Sequence, residues 1–385
     1  MNTFSRKKII FKICVAVVAV ALFLVVVTSS ASALEARSEM EEQTAIDCYH
    51  SQERSDLAIH TNGILDAICK DPLYCDIEEA VSTNYASDLI KWIDLNADYK
   101  SLKSVFDFCK AYYKNNNPQD FASVLAVVAI KNGNSFSHKD TLSTLKKLKA
   151  QLADGSVIEQ LYSSNKYFSY YKTAYSAIFS GIVGEYVRMG SEKIEYGISG
   201  FFPLASGYHY NHYDDFGAKR GYGYARKHLG HDFMGSVGTP IIAIEGGVVT
   251  ELGWNQYGGW RIGVRSHCTR RYYYYAHLRK DKPFAGDLKK GDTVFAGQVI
   301  GYLGNTGYSR KENVNLKTGN PHLHLGLQII FDESQIKGPK EIWIDLYAIS
   351  KLLSSEKART YKQDGHSVSK SIKQPAERID NVLVM

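Results

Sequence analysis

Four short stretches in the last 160 or so residues constrain the fold of this chain most, because they combine histidines with glycine-rich and strand-like patterns. They are HLGHD (228–232), YYYYAHL (272–278), GNTGYS (304–309) and NPHLHLGLQ (320–328). Two histidines at i and i+2 on a strand point to the same face, because strand side chains alternate with a period of two. Imidazole and carboxylate are ligands that zinc accepts, and a catalytic zinc site combines three protein ligands with one open position. The stretches therefore predict a β domain that carries a hydrolytic metal site.

The segments between these motifs are also β patterns punctuated by glycine, VGTPIIAIEGGVVTELGW (237–254) and LKKGDTVFAGQVIGYLGNTG (288–307). In order and spacing, the motifs resemble those of the lysostaphin/LytM-type zinc metallopeptidases, whose signature runs His-x-Gly-x-Asp, Ala-His-Leu and His-Leu-His. The resemblance covers roughly residues 205–330 and implies a mainly antiparallel β catalytic domain. The chain departs from the family pattern at RKENVNLKTGN (310–320), a polar insert that predicts a surface loop beside the cleft. We expect this loop to affect substrate preference more than the chemistry.

The resemblance also implies roles for individual residues. His228, Asp232 and His324 match the ligands of one zinc ion per chain, and His277 and His322 match the two catalytic histidines that do not bind the metal. Zinc would lower the pKa of a bound water towards ~7 and would polarise the scissile carbonyl. The two remaining histidines would orient or deprotonate the water and stabilise the oxyanion, and the sequence leaves open which of them does which.

The function that the resemblance implies is hydrolysis of peptide bonds in the stems or cross-bridges of bacterial peptidoglycan. One alternative is a membrane-anchored scaffold of the same fold that acts through protein partners in division or sporulation. A second alternative is a metal- and glycan-binding module without turnover. The intact set of five residues favours an enzyme, whereas a permanent anchor and a large helical region would fit a scaffold.

The N-terminus predicts export. Basic residues at positions 6–8 and 12 precede an unbroken apolar run at 13–27, and the small residues at 31–33 form a candidate cleavage site. Uncharged sequence continues to Leu34, so the segment could instead remain as a spanning helix of about 20 residues. The protein is therefore expected outside the cytoplasm, on the membrane or the cell wall if anchored and secreted if cleaved.

Composition excludes some classes of partner. The 385-residue chain has 44% hydrophobic and 22% charged residues, which is typical of a globular protein. Its formal net charge is +6, but four of the basic residues lie in the export segment and the rest carries only +2, so a nucleic-acid partner has no support. Outside that segment, cysteines at 48, 69, 75 and 109 permit up to two disulfides, of which a short-range bridge between Cys69 and Cys75 is plausible.

These patterns divide the chain into four parts. They are an export segment or anchor at 1–34, an α-helical region at 35–190, a lysostaphin-type zinc peptidase domain at 191–354, and a disordered tail at 355–385. Within the helical region, apolar periodicity predicts helices at 118–133, 139–155 and 165–186, with Leu142 on the apolar face of the second.

The segments 258–266 and 270–278 predict a β-hairpin. In its second strand, Tyr273, Tyr275 and His277 would share one face. Such tyrosines usually pack within a sheet, but Tyr273 or Tyr275 could instead line a peptide groove on the metal-facing side.

Other histidines lie near the first motif. His231 would point away from the metal and is interpreted as structural. His209, His212 and Asp214 could border the cleft, but we interpret them as solvated loop residues.

Overall fold

The computed structural model describes residues 90–375 apart from Trp92, Asp94, residues 222–224, Thr318 and Asp364. The predicted export segment and the cysteines at 48, 69 and 75 lie outside these residues. Cys109 is a buried free thiol. Across the described residues, no helix combines the length and the apolar character needed to cross a membrane.

Five helices precede the strands in the described part of the chain. They are α1 (Tyr99–Lys114), α2 (Phe121–Lys131), α3 (His138–Gln151), α4 (Ile158–Tyr162) and α5 (Lys166–Phe179). Four of them begin at a side chain that accepts a backbone N–H, namely Asp98, Asp120, Ser137 and Asn165, so one orphan donor in each first turn is satisfied. α2 is buried along most of its length, which fits its apolar sequence.

Two details of the predicted helices are wrong. Leu142 is 47% exposed, because the buried face of α3 follows Thr141, Leu145 and Leu148. The third helix ends at Phe179 rather than near 186, and a strand follows within four residues. Gly181 lies in this turn, where an added Cβ would lie 2.0 Å from a carboxylate oxygen of Glu245. The chain can pass so close to this carboxylate only because glycine has no side chain.

The rest of the described chain is mainly β. Its strands are β1 (Val183–Arg188), β2 (Ile194–Ile198), β3 (Tyr210–His212), β4 (Lys219–Gly221), β5 (Ala225–Lys227), β6 (His231–Gly235), β7 (Pro240–Ile242), β8 (Gly247–Asn255), β9 (Gly259–Ser266), β10 (Arg271–Ala276), β11 (Thr293–Val294), β12 (Val299–Tyr302), β13 (His322–Ile329), β14 (Ile342–Trp343), β15 (Thr360–Gln363), β16 (His366–Ser369) and β17 (Lys373–Pro375). A further helix, α6 (Tyr347–Leu353), follows β14.

The largest sheet has the strand order β11-β8-β9-β10-β13-β6-β3, with β14 paired to β13. Neighbouring strands in this sheet are antiparallel, which confirms the predicted antiparallel β domain and the predicted β9–β10 hairpin. Smaller sheets pair β1 with β2 and β17, β7 with β12, β15 with β16, and β4 with β5.

The helices and the large sheet share one hydrophobic core. Ile178 and Phe179 of α5 belong to the same buried cluster as Tyr273 and Tyr275 of β10. All described residues lie in one compact unit of the chain. The division at residues 190 and 354 stays a prediction.

The predicted disordered tail needs a correction over its described part. Thr360–Gln363 of β15 pairs with His366–Ser369 of β16, and β17 pairs with β1. Lys373 is 1% exposed, and its ammonium donates to the carbonyl of Ile198 at 2.6 Å and to the carboxylate of Glu356 at 2.9 Å. Because Ile198 lies 175 residues before Lys373, the polar composition of the segment did not reveal this ordered packing.

Candidate active site

Strand register brings the predicted metal ligands together. β13 lies between β6 and β10 in the large sheet, and His324 is opposite both Asp232 of β6 and Ala276 of β10. Directly opposite side chains in an antiparallel pair lie about 5 Å apart at Cβ, which puts Asp232 and His324 within reach of one ion. His228 follows β5 and approaches the same point just before β6 begins.

Three candidate ligand atoms converge on this point. Nε2 of His228 lies 2.9 Å from Nδ1 of His324, and Oδ1 of Asp232 lies 3.1 Å from each of these nitrogens. Ligands bound tetrahedrally at about 2.0–2.1 Å from zinc would be spaced by roughly 3.3 Å, so the triangle fits such an ion closely. Lone pairs that face one another at this distance repel unless a cation or a proton lies between them. The three residues therefore form a cluster that suits a divalent metal.

Asp215 contacts the Nδ1 side of the His228 ring, opposite the ligand cluster, and so orients this ring. Nδ1 of His228 is 3.1 Å from the Asp215 carbonyl oxygen and 3.1 Å from its carboxylate. A carbonyl can only accept, so Nδ1 carries the proton and the Nε2 lone pair faces Asp232 and His324. Burial opposes a charge on His228, yet its hydrogen bonds to Asp215 and Asp232 raise its pKa to about 9. The two carboxylates thus stabilise positive charge at Nε2, either as a proton or as a metal ion bound to its lone pair.

The glycine of the first motif has a steric role. An added Cβ at Gly230 would lie 2.5 Å from the carbonyl oxygen of Leu325 and 2.8 Å from the His324 ring. Only glycine allows the backbone to pass this close to the ring. The spacing of the His-x-Gly-x-Asp motif thus reflects packing against β13 as well as the placement of its ligands.

His277 and His322 lie together beside the cluster, with ring centroids 4.7 Å apart. Nδ1 of His277 donates to the Thr306 carbonyl at 2.7 Å, and Nδ1 of His322 donates to the Asn320 carbonyl at 2.8 Å. Each ring therefore keeps Nε2 for other partners. Burial, together with the neighbouring histidines, lowers the pKa of His277 to about 3, so its imidazole is neutral at neutral pH.

The predicted sharing of a face by Tyr273, Tyr275 and His277 is wrong. Tyr273 and Tyr275 are fully buried in the core, whereas Tyr274, Ala276 and His277 line the cleft. His277 has φ +60, and this left-handed backbone at the end of β10 breaks the alternation of strand side chains. The ring is thereby turned to the face of Tyr274, whose own ring packs edge-on against His324 at 5.9 Å.

All five predicted site residues line one cleft. Sequence reasoning missed other residues that line it, namely Arg220, Arg226, Tyr257, Tyr274 and Tyr308. Arg226 could have been found from the alternation of strand side chains, since it precedes His228 by two residues. Nothing in the sequence pointed to Arg220, which donates to Asp215 at 2.7 Å and to Oδ2 of Asp232 at 3.0 Å.

The remaining predicted residues lie away from the cleft. His231 is fully buried and bonds the Tyr213 carbonyl and, at 2.9 Å, the Asp345 carboxylate. His209 and Asp214 are exposed. The prediction of a solvated loop is wrong for His212, whose ring stacks on Phe233 with a centroid distance of 5.2 Å.

The polar insert at 310–320 folds against the neighbouring strands. Asn313 accepts a hydrogen bond from the Trp260 indole at 2.9 Å and bonds both the backbone and the carboxylate of Asp281. Among its described residues, none lines the cleft, whose wall on this side is formed by Tyr308 and His322.

Comparison with known proteins places this region in a family. Residues 226–337 match the model of Peptidase family M23. The chain is 37% identical over 149 residues to the L-Ala--D-Glu endopeptidase of Bacillus subtilis (strain 168), an alignment that covers 38% of this chain and 44% of that protein. It is 39% identical over 115 residues to lysostaphin of Staphylococcus simulans, covering 28% of this chain and 20% of that protein. The chain thus spans less than half the length of these curated relatives.

Among solved structures, lytM from Ruminococcus gnavus is 23% identical with a TM-score of 0.47, and the match covers 70% of this chain and 92% of that one. The match to the family model spans all three residues of the His/Asp cluster, His228, Asp232 and His324. Residues 226–337 therefore form a domain of peptidase family M23, the family of the lysostaphin-type endopeptidases that the sequence motifs resemble.

Proposed function

We propose that this chain is a zinc-dependent endopeptidase that hydrolyses peptide bonds in the stems or cross-bridges of bacterial peptidoglycan, outside the cytoplasm. The observation that carries the proposal is the convergence of three ligand atoms beside two imidazoles that each keep a free Nε2. Relatives named as an L-Ala--D-Glu endopeptidase and a glycyl-glycine endopeptidase support the substrate class. Because the three candidate ligands and the two candidate catalytic histidines line one cleft, the site supports an enzyme rather than a scaffold.

His228, Asp232 and His324 would hold one zinc ion per chain. When bound, zinc would supply Lewis acidity, which lowers the pKa of a coordinated water towards ~7 and polarises the scissile carbonyl. The Asp215 carboxylate would keep Nε2 of His228 unprotonated by fixing the proton on Nδ1.

His277 and His322 would divide the proton transfer and the stabilisation of charge between them. Their Nδ1 protons are engaged by backbone carbonyls, so each ring is held in one tautomer and one orientation. A neutral imidazole can take the proton of the attacking water at Nε2 and deliver it to the leaving amine. A ring with a proton at Nε2 can donate to the developing oxyanion.

Metal content and turnover test this proposal separately. Elemental analysis of the purified wild type should find one zinc per chain, and His324→Ala should lose it. His277→Ala and His322→Ala should keep zinc but release no new amino termini from peptidoglycan. His366→Ala, a change at an exposed position of β16, should behave as wild type. A chelator should stop the wild-type reaction.

The proposal is wrong if the folded, zinc-loaded wild type releases no amino termini from any of several cell-wall types. Equal zinc in the wild type and in His324→Ala would remove His324 from the ligand set.

A further inference from the structure

Arg226 lies in the cleft on the side of Tyr308. It is the central residue of β5, two positions before His228. Its Nη2 donates to the Tyr308 hydroxyl, and its guanidinium carbon lies 5.6 Å from the centroid of that ring. The Tyr308 ring in turn stacks on His277, with a centroid distance of 5.6 Å and an interplanar angle of 24°. The Tyr308 ring therefore contacts both the Arg226 guanidinium and the ring of His277, a candidate catalytic residue.

Nothing in the described part of the chain neutralises this cation. Nε of Arg226 is buried and has no hydrogen-bond partner there, and no described carboxylate forms an ion pair with the guanidinium. Arg220, the other arginine of the cleft, differs because it contacts two carboxylates, Asp215 at 2.7 Å and Asp232 at 3.0 Å. A guanidinium that lines a cleft without a counter-charge suits an anionic ligand, and an unpaired buried N–H on the same group is costly and rare in native proteins.

We propose that Arg226 binds a carboxylate of the substrate and that the chain consequently prefers acidic stem peptides to uncharged cross-bridges such as polyglycine. This inference rests on the proposed function, because it assigns a specificity residue to the same cleft. Guanidinium is the side chain best suited to carboxylates, since its fork of donors matches the two oxygens.

The geometry limits where that carboxylate can be. The two contacts through Tyr308 place the guanidinium within roughly 11 Å of the His277 ring. An extended peptide advances about 3.3 Å per residue, so the carboxylate lies within about three residues of the scissile bond. Two relatives are named for bonds that differ in the charge beside them. The glutamate of an L-Ala--D-Glu bond carries a free carboxylate, whereas a glycyl-glycine bond has no side-chain carboxylate.

A matched pair of peptides tests the inference on the zinc-loaded full chain. One peptide contains L-Ala--D-Glu with the free carboxylate of its glutamate, and the other has a carboxamide in its place. A charge-assisted hydrogen bond should make kcat/KM for the first peptide roughly tenfold to a hundredfold higher in the wild type. In Arg226→Gln this ratio should fall towards one, and in Arg226→Lys it should be intermediate. Arg359→Gln, the same charge change at an exposed position outside the cleft, should keep the wild-type ratio.

Binding of the same peptides, measured by calorimetry, separates this inference from the proposed function. If the wild type hydrolyses neither peptide, the proposed function fails for these substrates. Tighter binding of the carboxylate peptide by the wild type, and not by Arg226→Gln, would then still support the role of Arg226. The inference is overturned if the wild type, Arg226→Gln and Arg226→Lys all show the same ratio between the carboxylate peptide and the carboxamide peptide, in hydrolysis or in binding.

Discussion

Replacing Glu245 with glutamine tests whether one buried ion pair holds the end of α5 against the large sheet. The Glu245 carboxylate, in the turn before β8, accepts two hydrogen bonds from Arg271 at 2.7 and 2.8 Å and one from the Tyr273 hydroxyl at 2.9 Å. Arg271 also donates to the carbonyl of Ala177 and to the hydroxyl of Ser180, both at 2.8 Å. The pair therefore links β10 to the last turn of the helical region.

The structure indicates a large loss of stability. The Arg271 side chain is 2% exposed and that of Glu245 is 13% exposed, so the amide would leave a buried guanidinium without its counter-charge. At about 4 Å and an effective dielectric constant of about 20, the lost attraction is about 4 kcal/mol. This agrees with the cost of about 3–5 kcal/mol for removing one partner of a buried pair. Such a loss is a large share of a typical unfolding free energy of about 5–15 kcal/mol.

Glu195→Gln is the matched control. Glu195 pairs with Arg188 at 3.0 Å, but the two side chains are 33% and 43% exposed, so we expect a loss below about 1 kcal/mol. Urea unfolding of both variants and the wild type, at one zinc concentration, gives the two free-energy changes at matched m-values. The reasoning is refuted if Glu245→Gln costs no more than Glu195→Gln.

Three further outcomes are expected. Gly230→Ala should lower zinc affinity about tenfold or more, because the added methyl displaces His324. Gly221→Ala is the control and should leave zinc affinity unchanged, since no atom lies within 4 Å of its added Cβ. Competition with a chelator measures the zinc affinity of both variants. Burial lowers the pKa of His212 to about 4, so the fold holds this ring neutral while the unfolded chain binds a proton below about 6.5. Stability should therefore fall between pH 6.5 and pH 4, and His212→Gln should show a smaller fall in urea unfolding across this window; identical slopes would contradict the assignment. Asn313→Ala should speed proteolytic cleavage in the 310–320 insert without changing zinc content, because Asn313 bonds Trp260 and Asp281 and has φ +60.

The sequence alone determined those features that depend on backbone periodicity. His322 and His324 share a face because side chains alternate along a strand, and the β9–β10 hairpin follows from two aromatic, strand-like segments joined by a short turn. The residue types of the candidate ligands can likewise be read from the sequence without knowledge of the fold. The same periodicity failed at His277, where a left-handed backbone turns the ring to the other face.

Only the tertiary structure decided which distant groups meet. Asp232 and His324 are 92 residues apart, and it is the β6–β13 register that brings their atoms to 3.1 Å. Asp215 and Arg220 enter the site because β4 and the loop before it lie against the ligand cluster, and nothing in the residues beside them in the sequence predicts these contacts. A local sequence pattern depends on the backbone geometry of a single helix or strand. The register between strands and the contacts of a loop depend instead on burial and hydrogen bonding between elements far apart in the chain. Lys373 shows the same division, since its polar surroundings in sequence predicted a tail, whereas its hydrogen bond to the carbonyl of the buried Ile198 places it in the fold.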